Sequence, residues 1–368
     1  MSPSPILAAL GRWVVYRPNT PPRWGSEVRR QALFEALARR TEARIVARWS
    51  LLERRGNELP LRWLRRSPGA DRPLLAASEQ PPRRAWDAVN DWTRPFAVGI
   101  YDDPVAQASA IGAVLDKGTR ADASARLAFS TATFEWLVVP TASFAALIGL
   151  DPHRVLVGGN GTDTRRIVPG PFPELPTIGM VSGASAGRGI EALIEAARAL
   201  RSGYFSDLRL ILWLIATSEV SARYLDALRQ AQKANEWIEF SEVPHLRLGT
   251  ELARATVLCI PHPKSDYLDT ALPVKLLDSL AAGRPVVVTP RTETARVISK
   301  FNAGVVAAGD RPDDLAAALR SPLSSPSEAA ALGALARTAA HSYDWDVVGG
   351  RLAELLMERA IADRRLSF

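Results

Sequence analysis

Residues 255–289 hold the clearest candidate for a binding site, because an apolar strand is followed there by a polar loop and a helix that carries a lysine and an aspartate. The run 256–260 predicts a buried parallel strand, and 261–272 a loop. Residues 274–282 predict a helix that begins at Pro273, ends at Gly283 and buries leucines on one face, before another strand at 286–288. The N-terminus of such a helix carries unpaired amides and partial positive charge, which can hold a diphosphate. An ordinary α/β crossover explains the hydrophobic pattern equally well.

Two carboxylates, Asp102 and Asp103, form a second candidate at the end of a strand predicted over 96–101. Ligands bind at the carboxyl ends of parallel strands, so either carboxylate suits a site. An aspartate before a proline is also typical of a helix cap followed by the first helical position. We therefore interpret Asp103 as a cap and keep Asp102 as a candidate catalytic residue.

The composition is that of a soluble globular protein, with 47% hydrophobic and 23% charged residues in a chain of 368. This length suits two domains. No apolar run is long enough for a membrane span or a secretory signal, so we expect a cytoplasmic protein. The single cysteine, Cys259, falls within a predicted core strand. The four histidines lack metal-ligand spacing, and we expect no metal and no cofactor.

An arginine-rich stretch at 44–94 holds eleven arginines against six acidic residues, within a chain of net charge +7. Four tryptophans lie in the same stretch. Such a surface suits an anionic membrane face, which would make the protein peripheral at the inner membrane, or a phosphorylated acceptor. A solvated arginine-rich surface explains it as well. No nucleic-acid-binding module is visible.

Strands and helices alternate through both halves of the chain, which predicts an α/β fold with parallel sheets. In the first half the pattern predicts strands at 12–16, 43–49, 96–101, 135–140 and 154–157, and helices at 27–40, 105–115 and 142–149. In the second half it predicts strands at 177–182, 208–215 and 237–240 before the central stretch, and helices at 190–200, 219–234, 246–253, 293–299 and 312–319. Prolines at 169–176 predict a linker between an N-terminal domain, 1–168, and a C-terminal domain, 177–346. The long helix at 347–362 is expected to join the N-terminal domain.

Several motifs in combination resemble glycosyltransferase group 1 (family 4). The loop ending Arg188-Gly189-Ile190 resembles the element before the family's first C-terminal helix, and 249–261 its alanine-rich helix and strand. Residues 273–287 resemble its Pro-x-Lys, acid, Ala-x-Gly, Pro-Val-Val signature. The first half resembles the family at Trp24-Gly25-Ser26, a glycine loop, and at the turn 160–163.

The resemblance implies a GT-B fold, with two Rossmann-like domains whose parallel sheets face each other across a cleft. It also implies transfer of a sugar from a nucleotide diphosphate donor to an unidentified acceptor, with retention and without a metal. Arg188 and Lys275 would contact the diphosphate, Asp278 the ribose, and the backbone near Val243 and His245 the base. The remaining donor-binding candidates are Gly25, Gly183, Thr270, Ala271, Leu272, Pro273 and Val274.

Two departures from the family bear on activity. Thr270 occupies the position of the first of two acids, and Gly183 that of an arginine. Arg188 then needs a second cation, which Lys275, Lys264, Arg17 or Arg23 can supply. The departures leave open a catalytically inactive GT-B-like partner subunit. A sugar-nucleotide epimerase, which would rely on the carboxylates at 102–103, is less well supported.

Overall fold

The computed structural model describes most of the chain from residue 95 onward and short parts of what precedes it. The described residues are 14–17, 32–33, 35–37, 39, 44–47, 74–76, 95–100 and 103–362. Gly25 and Asp102, together with nearly all of the arginine-rich stretch, lie outside them. So do Arg23 and the side chain of Arg17.

The chain divides into two compact units, the first comprising 1–105, 115–161 and 345–368 and the second 106–114 and 162–344. The first unit contains a six-stranded parallel sheet in the order β2-β1-β3-β4-β5-β6. Its strands are β1 (Val14–Arg17), β2 (Arg44–Ala47), β3 (Leu74–Ala76), β4 (Pro95–Gly99), β5 (Trp136–Val139) and β6 (Val155–Val157).

Helices lie between these strands in the chain. They include α1 (Pro104–Ala110), of which residues 106–110 belong to the second unit, α2 (Lys117–Thr133), α3 (Ala142–Leu147), and helical residues between 32 and 39. The Asp103 carboxylate accepts a hydrogen bond from the Val105 amide at 2.8 Å, which confirms its interpretation as a cap. The C-terminal helix, which we number last, also belongs to this unit.

The second unit holds another six-stranded parallel sheet, in the order β12-β11-β10-β7-β8-β9. Its strands are β7 (Thr177–Gly183), β8 (Arg209–Ile215), β9 (Ile238–Ser241), β10 (Val257–Ile260), β11 (Val286–Val288) and β12 (Gly304–Val306). Both faces of the sheet are covered by apolar clusters, so β10 and β11 are buried along their whole length. Continuous burial explains why these strands are apolar runs without alternation.

The helices of this unit pack on both faces of its sheet. They are α4 (Ile190–Gly203), α5 (Glu219–Ala231), α6 (Leu248–Leu252), α7 (Asp266–Thr270), α8 (Val274–Ala281), α9 (Thr292–Phe301), α10 (Pro312–Ser324) and α11 (Pro326–His341). The C-terminal helix of the first unit is α12 (Trp345–Ala362). Among the helices in the described part of the chain, none is long and apolar enough to cross a bilayer.

The predicted α/β class with parallel sheets is confirmed, and most predicted elements lie within a few residues of their observed bounds. The loop predicted at 261–272 is wrong in part, because α7 forms there with the Ser265 hydroxyl as its N-cap. Four further elements were missed: the helices α2 and α11 and the three-residue strands β3 and β12. Helix α8 was predicted to bury one face, whereas seven of its eight residues are buried.

Candidate functional site

The sheet of the second unit has a switch point between β7 and β10. The strand after β7 in sequence, β8, lies on one side of it, and β10 lies on the other. In open α/β sheets, ligands bind outside the carboxyl ends of the strands at such a point. The loop that carries Arg188 follows β7, and His262 follows β10. The predicted diphosphate residues therefore lie at the switch point.

Arg188 and Lys275 form a positively charged cluster at this edge of the sheet. The Lys275 ammonium donates a hydrogen bond to the Ser182 hydroxyl, with the two atoms 3.4 Å apart. Although part of the lysine is accessible, burial of its ammonium and, to a smaller extent, the charge of Arg188 together lower the pKa of Lys275 to about 7. An anion bound here would be attracted by both groups.

The two helices beside this cluster present N-termini without a side-chain cap. Gly189 is the N-cap of α4, and Pro273 is the N-cap of α8. Gly189 has a φ of +77°, and a Cβ at this position would lie 1.8 Å from the Pro261 carbonyl oxygen. Only glycine allows this close approach, which brings the Arg188 loop against the segment after β10. Backbone amides at both termini add to the positive field.

His262 was not selected by sequence reasoning, yet it belongs to the same cluster. It is 1% exposed, and its backbone carbonyl accepts a hydrogen bond from the Thr289 hydroxyl at 2.6 Å. Its pKa is held well below the usual value by burial and by the charges of Lys275, Arg188 and Arg291. The imidazole is therefore neutral at physiological pH and adds no further charge. Arg291 in turn pairs with Asp269 at 3.1 Å.

The depressed pKa of Lys275 gives a prediction for stability. The folded protein releases the lysine proton near pH 7, whereas the unfolded chain keeps it to about pH 10.4. Between these values the unfolded state binds more protons, so the free energy of unfolding rises with pH. Relative to Lys275→Met, the wild type should gain about 3 kcal/mol between about pH 6 and about pH 9.5.

Urea unfolding of both proteins across this range measures the effect. The variant is the control for every other titrating group, because those groups are common to both proteins. Parallel pH profiles for the two proteins would contradict a depressed lysine pKa.

Asp278, one turn into α8, lies in a hydrogen-bonded network rather than alone. Its Oδ1 accepts from the Thr162 hydroxyl at 2.7 Å, and its Oδ2 lies 3.1 Å from His245 Nε2. Arg166 Nη2 lies 2.9 Å from the other ring nitrogen, Nδ1, of His245. Asp278 is 2% exposed. Its carboxylate is therefore buried, and each of its two oxygens has a hydrogen-bond partner in the protein.

The remaining predicted residues lie at the same edge of the sheet with varied surroundings. Gly183 ends β7, and a Cβ added there would meet nothing within 4 Å. The Thr270 hydroxyl donates to the Tyr267 carbonyl at 2.9 Å inside α7, so it does not replace the missing acid. Ala271, Leu272 and Pro273 connect α7 to α8, and the Val274 side chain is buried. Val243 packs on the apolar core, while Lys264 is exposed.

Sequence reasoning missed the partners of the predicted residues: Ser182, Thr162, Arg166 and His262. Thr162 lies in the turn at 160–163, but its contact with Asp278 spans 116 positions. Arg166 and His245 are 79 positions apart. No local pattern signals such contacts. In the part of the chain that the structure describes, no group of three or more metal-ligating side chains is found.

The fold of the chain is GT-B, as its similarity to solved structures shows. Sucrose-phosphate synthase from Thermosynechococcus elongatus has a TM-score of 0.70 at 14% identity, covering 95% of this chain and 99% of that one. HepE from Anabaena, in complex with UDP and glucose, has a TM-score of 0.69 at 12% identity, covering 94% and 99%. A glycosyltransferase from Rickettsia africae has a TM-score of 0.63 at 11% identity, covering 94% and 97%.

Within this fold, residues 175–325 match the family model described as glycosyl transferases group 1. The resemblance predicted from the sequence is thus confirmed where it was strongest, in the second unit. No curated protein sequence matches the chain significantly.

Proposed function

We propose that the protein transfers a sugar from a nucleoside diphosphate sugar to an acceptor hydroxyl. The observation that carries this proposal is the cluster of Arg188 and Lys275 beside two uncapped helix N-termini. The cluster lies at the switch point, inside the stretch that matches glycosyl transferases group 1. A site of this charge suits a diphosphate.

In the proposed reaction the bond between the anomeric carbon and the diphosphate oxygen breaks. The acceptor oxygen bonds to that carbon, and the hydroxyl proton leaves. Negative charge grows on the diphosphate as the bond breaks, and Arg188, Lys275 and the helix amides stabilise it where it develops. These fixed positive groups take the place of a metal ion in the proposal. Retention at the anomeric carbon is part of the proposal and rests on the family resemblance.

We assign the nucleoside part of the donor to the same face of α8, one helical turn after Lys275. Asp278 would accept hydrogen bonds from the ribose hydroxyls, and the backbone at 243–246 would hold the base. One structural neighbour, HepE, has been solved with UDP, with UDP-glucose, and with UDP and glucose. UDP and UDP-glucose are therefore the first probes to use.

Consumption of nucleotide sugars by the purified protein tests the proposal. We expect release of one nucleoside diphosphate from its sugar conjugate, slowly to water and faster when an acceptor is present. The rate measured with Arg188→Ala, purified in the same way, serves as the background. No release from any nucleotide sugar, with or without candidate acceptors, would reject an active transferase.

A catalytically inactive binding subunit is the second candidate, and two observations favour it. Thr270 stands at the position of the family's first acid, and its hydroxyl is bonded inside α7. Gly183 stands at the position of the family's arginine, and a Cβ added there would meet nothing within 4 Å. Such a protein would bind a nucleoside diphosphate without turnover. Binding and turnover measured on the same sample separate the two candidates.

For the acceptor side, we propose that the arginine- and tryptophan-rich stretch 44–94 contacts an anionic surface, as a peripheral protein at the inner membrane face would. Its eleven arginines against six acidic residues support this. The protein should sediment with phosphatidylserine-containing liposomes at low salt and leave them at high salt, because salt screens the attraction. Neutral liposomes are the control. Absence from the pellet at low salt would exclude a membrane-bound acceptor site of this kind.

A further inference from the structure

Four side chains form a continuous hydrogen-bonded chain in the second unit: Arg166, His245, Asp278 and Thr162. We propose that Arg166 and His245 are positioning residues, which hold the Asp278 carboxylate as a fixed acceptor for the ribose hydroxyls of the donor. This inference rests on the proposed function. It adds two residues, Arg166 and Thr162, that the resemblance does not assign, and gives His245 a role other than contact with the base.

The chemistry of arginine sets the direction of each hydrogen bond. A guanidinium can only donate, so His245 Nδ1, which lies 2.9 Å from Arg166 Nη2, must accept. An imidazole whose Nδ1 accepts is neutral and carries its proton on Nε2. That Nε2–H faces Asp278 Oδ2 at 3.1 Å and donates to it. Arg166 thus selects the tautomer of His245 that can hold the carboxylate.

The carboxylate keeps capacity for a ligand after these contacts. An ionised carboxylate has about four acceptor sites, of which Thr162 and His245 use one on each oxygen. The 2′ and 3′ hydroxyls of a ribose are two donors at a fixed spacing. Asp278 also lies one helical turn after Lys275 on α8, where side chains three positions apart are neighbours. A ribose joined to a diphosphate at Lys275 would therefore lie within reach of Asp278.

The segment that supplies Thr162 and Arg166 is itself fixed. The Thr162 amide donates to the Tyr343 carbonyl at 2.9 Å, and the Thr164 amide to the Asp344 carboxylate at 3.1 Å. Arg337 donates to the carbonyls of Thr164 and Ile167 at 2.8 Å and 2.7 Å. Because both ends of the chain of contacts are anchored, the carboxylate is oriented before any ligand arrives.

A ligand-based mutant cycle tests the proposal. The affinities of wild type and His245→Ala are measured by calorimetry for UDP and for 2′,3′-dideoxy-UDP. In the wild type, removing both hydroxyls should weaken binding by about 30-fold, as expected for hydrogen bonds to a charged group. In His245→Ala, removing the same two hydroxyls should weaken binding by about threefold or less, because no imidazole orients the Asp278 carboxylate. His153→Ala, a change at an exposed histidine, should behave as wild type.

An equal loss of affinity for both ligands in His245→Ala would overturn the proposal, since a purely structural role or a base contact predicts that result. The tautomer of His245 can be measured in the wild type, so this second test does not depend on whether a variant folds. Long-range proton–nitrogen NMR of the wild type, with four histidines to assign, should show His245 protonated on Nε2 alone near pH 7.5. A proton on Nδ1 would overturn the proposal.

The NMR result also separates this inference from the proposed function. If no nucleoside diphosphate binds the wild type, the proposed function fails while the tautomer can still be as expected. If UDP binds and the mutant cycle shows no coupling, the proposed function stands and the positioning role is wrong.

Discussion

Replacing Arg188 by alanine is expected to lower turnover of the nucleotide sugar by a factor of about 100 or more. The guanidinium lies in the loop after β7 and acts together with Lys275 at the start of α8. Charge on the diphosphate grows in the transition state, so kcat should fall by more than the affinity for the donor does, although both should fall. The measurement is steady-state kinetics of nucleoside diphosphate release for wild type and variant.

Arg198→Ala is the matched control for this experiment. Arg198 lies on the exposed face of α4, the helix that begins just after Arg188, and bonds to Gln232 at 3.0 Å. Its removal should leave turnover within about twofold, because an exposed charge is screened by solvent. Turnover of Arg188→Ala close to that of Arg198→Ala would show that Arg188 does not stabilise the leaving group.

Replacing Arg284 by alanine is expected to lower the free energy of unfolding by about 3 kcal/mol. Arg284 is 0% exposed, and its Nη2 donates to the carbonyls of Gly170, Pro171 and Ala253 at 3.1, 2.6 and 2.7 Å. Its guanidinium also lies 4.1 Å from the centroid of the Phe172 ring. The substitution leaves three carbonyls without this donor and a cavity beside the ring.

Urea unfolding of wild type and variant measures this loss. Although burial lowers the pKa of Arg284 to about 10, the guanidinium stays charged at neutral pH, so the contacts persist there. Arg223→Ala is the control, since Arg223 forms an exposed pair with Glu219 on α5 and should change stability by less than about 0.5 kcal/mol. Equal stabilities of the two variants would contradict a structural role for Arg284.

The elements that carry the site were predictable because their signals are local. The run at 257–260 is apolar on both faces, Pro273 and Gly283 mark the limits of α8, and the glycine loop before α4 places Arg188. Each of these signals lies within about ten residues and follows from burial or from backbone conformation. The predicted parallel α/β class followed from their alternation.

Two long helices, α2 and α11, were missed because alanine supplies most of their apolar positions. Alanine favours a helix but contributes little to an apolar stripe, so the period that marks an amphipathic helix is weak. In α11 the buried positions are alanines and one glycine. Strand β3 was missed for another reason, since three residues within a stretch rich in arginine and proline give too short a run.

The polar partners at the site could not be predicted, because they meet through the fold rather than along the chain. Thr162 reaches Asp278, and Arg166 reaches His245, only when the second unit folds, since 116 and 79 positions separate the partners. The same holds for Ser182 at Lys275. Sequence reasoning could name a lysine and an aspartate one helical turn apart, but not the groups that set their charge and direction.

The central claim, that Arg188 and Lys275 hold the diphosphate of a nucleotide donor, is tested most directly by thermal-shift titration. Wild type, Arg188→Ala and Lys275→Met are titrated with a panel of nucleoside diphosphates, each beside its parent nucleoside. A ligand that binds only the folded state raises the melting temperature with concentration. We predict a shift for one diphosphate in the wild type, little shift for its nucleoside, and a much smaller shift for the diphosphate in both variants. No shift with any diphosphate, or equal shifts in all three proteins, would contradict the account.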